Sequence, residues 1–72
     1  MNSDKKHDNF VRLANQRTNK ILDMIVLLGN LSNSSSYEYS EEEVNKIFNT
    51  INNELKNQKK RFNKKTNSKF SL

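Results

Sequence analysis

Ten cations in two distant parts of the chain are the side chains whose type and spacing could do chemistry, and that chemistry is the neutralisation of phosphate. Lys56, Lys59, Lys60, Arg61, Lys64 and Lys65 crowd toward the C-terminus, while Lys5, Lys6, Arg12 and Arg17 lie in the N-terminal part. Ammonium and guanidinium groups gathered on one surface displace counterions from DNA or RNA, an attraction that needs no contact with the bases. No aromatic-rich or motif-bearing segment lies among these cations to read a sequence. A plainer reading is also open: a solvated basic tail, joined to positive charge that favours the C-terminal end of a helix.

Other chemistries find little to work with. The chain has no cysteine and one histidine, His7, which removes disulfides, ordinary zinc sites and Cys–His nucleophile pairs. No serine is framed by glycines as in a nucleophile elbow, since Gly29 is the only glycine. The expectation is a non-enzyme with no cofactor and no metal, and His7 reads as a surface residue in a polar terminus. Residues 21–31 form the only apolar run, interrupted by Asp23 and short of the ~20 residues that a membrane span needs. A polar N-terminus without an export signal then points to a soluble, cytoplasmic protein with no membrane partner. Two matches to the N-glycosylation pattern, at Asn30-Leu31-Ser32 and Asn33-Ser34-Ser35, read as chance in a loop rich in Asn and Ser.

Helices have to position the cations, and the stretch between Gly29 and Ser40 shows where they stop and start. Gly29 directly follows an apolar run, the place for a left-handed residue that closes a helix. Ser40-Glu41-Glu42-Glu43 is a capping box, with three carboxylates at the positive end of the helix dipole and Tyr39 placed to staple onto Val44. The spacing predicts helices over residues 9–28 and 41–61, with residues 1–8 frayed or partly helical. In the first helix, Phe10, Ala14, Ile21, Ile25 and Leu28 share a stripe with Val11, Leu13, Leu22 and Met24 beside it. Val26 and Leu27 fall outside even that arc. In the second, Val44, Ile47, Phe48, Ile51, Leu55, Gln58 and Phe62 form a stripe only ~100° wide, similar to a coiled-coil seam.

Folded antiparallel about the turn, the two stripes match position for position, which predicts an all-α hairpin over residues 1–62 and a basic disordered tail over residues 63–72. Closing that hairpin would set eleven cations against three carboxylates at the open end, a net of +8, and leave −3 at the turn end. Such a convergence is what phosphate binding needs. With 72 residues, 32% of them hydrophobic, the core of one chain is marginal. The excess apolar surface of the first helix, carried by Leu22, Val26 and Leu27, therefore predicts a homodimer built as a four-helix bundle. Arg17 interrupts the first stripe as a snorkelling side chain paired with Glu54, or as a contact to phosphate or partner. Gln58 reads as a polar residue that sets register. Leu31 and Tyr37 either plug the base of the hairpin or form a recognition loop for a protein partner.

The segment from Arg17 to Lys20, the string Leu27-Leu28-Gly29-Asn30-Leu31-Ser32-Asn33, the string Tyr37-Glu38-Tyr39-Ser40-Glu41-Glu42 and the pair Ile47-Phe48 together resemble a group of small helical-hairpin proteins encoded on bacterial plasmids, phages and integrative elements. The resemblance covers residues 10–62 and carries no established activity, so no residue inherits a role from it. In shape alone, a dimerising hairpin is similar to plasmid copy-control RNA-binding proteins. Two functions are expected from these features. One is a mobile-element accessory or regulatory protein that binds nucleic-acid phosphates. The other is a protein–protein adaptor or inhibitor, for example of a host or defence complex, acting through the apolar face of the first helix and the Tyr37 loop.

Overall fold

The computed structural model describes residues 2–63, and for Asn2 and Ser3 only the backbone. Everything regular among the described residues is helical: α1 spans Asn2–Gly29, a single 3-10 turn covers Asn30–Ser32, and α2 spans Glu41–Phe62. The chain divides into two units, Met1–Glu38 built on α1 and Tyr39–Leu72 built on α2.

Helix α1 begins at Asn2, so the N-terminal residues expected to be frayed or partly helical are helical from Asn2 onward. Nothing in them breaks a helix, Asp4 in the first turn complements the dipole, and side chains one turn apart support each other. The His7 ring stacks on Phe10 with centroids 6.4 Å apart and planes at 24°. Arg12 Nη2 donates to Asn9 Oδ1 at 3.4 Å. His7 thus remains on the surface, as expected, but helps to pack the first turns.

At the other end the expectation for Gly29 is overturned. Its φ of −62° and ψ of −27° are right-handed helical, and no described residue has positive φ. The helix runs through Gly29 and tightens into the 3-10 turn, where the Asn33 amide donates to the Asn30 carbonyl at 3.4 Å. Tightening the last turn supplies partners to terminal carbonyls without a left-handed residue. Asn33, with φ −69° and ψ 99°, is extended and ends the run.

Helix α2 starts where the capping box placed it. Ser40 is extended, its Oγ accepts from the Glu43 amide at 3.1 Å, and its own amide donates to Glu43 Oε1 at 2.9 Å. The Val44 amide then donates to the Ser40 carbonyl at 3.1 Å. Glu41, Glu42 and Glu43 occupy the first turn and Lys59, Lys60 and Arg61 the last, so both ends of the dipole meet opposite charge. The helix closes with the Asn63 amide donating to the Lys60 carbonyl at 3.0 Å. The tail expected over residues 63–72 lies, apart from Asn63, outside the described residues.

No described residue is fully buried; only Leu13, Ala14, Leu28, Val44 and Ile51 are half-buried. Each of these lies on, or beside, the stripe that periodicity marked on its helix.

Replacing Gly29 tests the revised helix end. A Cβ there meets nothing within 4 Å and the backbone is already helical. Gly29→Ala should therefore stabilise the chain by about 0.5–1 kcal/mol. Thermal unfolding followed by circular dichroism measures this, and a left-handed Gly29 would give the opposite sign.

Candidate functional site

The described cations proposed from sequence, Lys5, Lys6, Arg12 and Arg17 on α1 and Lys56, Lys59, Lys60 and Arg61 on α2, are all exposed. Lys64 and Lys65 lie outside the described residues. Helical spacing decides which of them share a surface. On α2, Lys56, Lys59 and Lys60 stand three and four residues apart and lie together on one side of the last two turns. Arg61 projects to the other flank, where its Nη1 donates to Gln58 Oε1 at 2.9 Å. On α1, Lys5 and Arg12, seven residues apart, share one side, and Lys6 and Arg17 lie close to the apolar stripe.

Glu54 accepts from Gln58 Nε2 at 2.6 Å. Gln58 in turn is not a bare polar residue on the seam. Both ends of its amide are used along α2, and Glu54, Gln58 and Arg61 form a continuous hydrogen-bonded row. Partners on the same helix cost little entropy to bring together, which favours this row over a partner from elsewhere. The acidic charge nearest to the basic turns is thereby held on the flank away from Lys56, Lys59 and Lys60.

The second group proposed from sequence is apolar. Val26 is 63% exposed and Leu27 57%, with Leu22 exposed beside them. Leu31 sits in the 3-10 turn at 46% exposure and Tyr37 in the loop at 50%. What fixes Tyr37 is Asn33. Its carbonyl accepts from the Ser36 and Tyr37 amides at 3.1 and 3.0 Å, and its Oδ1 accepts from the Ser35 amide at 3.1 Å. Asn33 was missed as an organiser of this loop, although an asparagine followed by small residues is a signal for an Asx turn.

Among the described residues no three His, Cys, Asp or Glu side chains are grouped to hold a metal ion, and no helix is long and apolar enough to cross a membrane. The arrangement is suited to binding: a cationic side on the end of α2, and a separate apolar segment leading into an ordered loop.

Asn33→Ala should remove the Asx turn while leaving its backbone carbonyl in place. Amide hydrogen exchange should then accelerate at Ser35 far more than at Ser36 or Tyr37, and equal acceleration at all three would mean that the side chain is not what orders the loop. Comparison of the chain with protein-family models, with curated proteins and with solved structures finds no match.

Proposed function

We propose that the protein is a small accessory or regulatory protein of a bacterial mobile element that binds nucleic-acid phosphates through its cations. The observation that carries this reading is the clustering of Lys56, Lys59 and Lys60 on one exposed side of α2, with Glu54 tied to Gln58 on another flank. A row of ammonium groups is worth little to a helix beyond its dipole, but it supplies the positive charge that displaces counterions from a phosphate backbone. In the proposed assembly α1 and α2 close as an antiparallel hairpin, which adds Lys5, Lys6, Arg12 and Arg17 to the same end. Two hairpins then associate through Leu22, Val26 and Leu27 into a four-helix bundle. Complementary apolar stripes on the two helices support the closure, and the exposed apolar side chains of α1 support the association.

A second reading rests on a different observation. The exposed run that ends in Leu31 leads into a loop whose Tyr37 is held by Asn33, and tyrosine on an ordered loop is common at the centre of protein interfaces. On that reading the chain is an adaptor or inhibitor of a host or defence complex, and its cations steer encounter.

Fluorescence anisotropy against labelled DNA and RNA, across roughly 50–300 mM salt, separates the two. Phosphate binding should give micromolar or tighter affinity with a log–log salt slope of several units. Lys59→Gln, Lys60→Gln and Arg61→Gln together should reduce that slope by about 2–3. Absence of binding at the lowest salt would favour the adaptor. Independently, Val26→Gln with Leu27→Gln should convert a dimer to a monomer in sedimentation velocity, and a wild-type monomer at tens of micromolar would remove the bundle.

A further inference from the structure

The polar side of α2 carries four asparagines that neither reading uses. At ~100° per residue, Asn45, Asn49, Asn52, Asn53, Lys56 and Lys60 fall within one arc about 100° wide, turned away from the apolar stripe. All six are exposed. Several polar side chains elsewhere on α2 are engaged: Thr50 Oγ1 donates to the Lys46 carbonyl at 2.7 Å, and Glu54, Gln58 and Arg61 form a bonded row. The six make no side-chain hydrogen bond among the described residues. Asparagine is also a poor choice for a helix interior, because its amide competes for nearby backbone groups. Four of them on one arc of a 22-residue helix weaken it, and among the described residues no side-chain hydrogen bond of theirs compensates.

We propose that this face enters the major groove of duplex DNA and reads adenine. The inference rests on the phosphate-binding reading above and adds to it the strand form and the base. A free carboxamide offers one donor and one acceptor side by side, the complement of adenine N6 and N7 in the major groove. An α-helix fits that groove in B-form DNA, whereas the deep, narrow major groove of an RNA duplex excludes it. Charge decides which part of α2 inserts. Glu41, Glu42 and Glu43 keep the first turn away from phosphates, and Lys56 and Lys60, on the same arc just beyond the asparagines, draw the middle and C-terminal turns in. Asn49, Asn52 and Asn53 span little more than one turn and are therefore the base readers, with Lys56 and Lys60 on the bordering phosphates.

The test is anisotropy of the full chain with four duplexes of equal length: A·T-rich DNA, the same DNA with 7-deazaadenine, G·C-only DNA, and an A·U-rich RNA duplex. A·T-rich DNA should bind tightest, and loss of adenine N7 should weaken it. Asn49→Ala, Asn52→Ala and Asn53→Ala together should cut its advantage over G·C DNA by about tenfold or more, with the salt slope unchanged. Alanine favours helix, so circular dichroism should show α2 intact in the variant. Equal affinity for A·T and G·C DNA, indifference to 7-deazaadenine, a preference that survives the triple variant, or tighter binding of the RNA duplex would each overturn the adenine reading alone. Absence of binding to all four duplexes would instead remove the phosphate reading with it.

Discussion

Apolar side chains left in contact with solvent set the terms for the whole molecule. Among the described residues none is fully buried, and the side chains that periodicity marks as a core are at most half-buried. A helix gains most of its stability from packing an amphipathic face, so two helices with apolar stripes and no buried residue are in want of a covering surface. Cysteine and metal clusters, the other ways in which small chains supplement a core, are missing from the sequence or from the described residues. That need makes association through Leu22, Val26 and Leu27 the central element of the proposed assembly.

Local interactions carry a larger share of the burden than usual. α2 is held at its start by the reciprocal Ser40–Glu43 pair, at both ends by charges that oppose the dipole, and along one flank by the row from Glu54 through Gln58 to Arg61. The same distribution polarises the helix for function. Carboxylates that cap the first turn repel phosphate, and cations that suit the last turn attract it, so a single charge gradient serves stability and orientation together. Helices that read a major groove commonly lead with their N-terminal residues. Three glutamates forbid that here, which is why the proposed contact uses the middle and C-terminal turns.

How much was legible in the sequence follows from how local each cause is. Ser40 and Glu43 form a motif complete within four residues, and α2 begins at Glu41 as that motif requires. Gly29 misled because glycine permits a left-handed conformation without demanding one, and the 3-10 turn after it satisfies the helix end by another route. The N-terminal residues were underestimated because their support comes from side-chain pairs, His7 on Phe10 and Arg12 on Asn9, that propensity does not count. For the candidate site, the positions of the cations and the exposure of Val26 and Leu27 were readable from spacing. The commitments of Glu54, Gln58 and Asn33 were not, because each of these side chains had both a local and a distant option, and composition does not choose between them.

The proposed dimer and the proposed groove contact constrain each other. An isologous pair of hairpins presents every surface twice about one two-fold axis, so the Asn–Lys face of α2 would meet DNA as two equivalent copies. Two such faces bind one duplex together only where their separation matches a whole helical turn of DNA, roughly 34–36 Å, or a multiple of it. When it does, the second contact is intramolecular and gains avidity; when it does not, each hairpin binds alone. Salt dependence then reports the number of phosphates engaged, while base preference reports only the helix that reads. A pair of copies acting together therefore steepens the first without altering which base is favoured by the second, and the two quantities separate assembly from recognition in this protein.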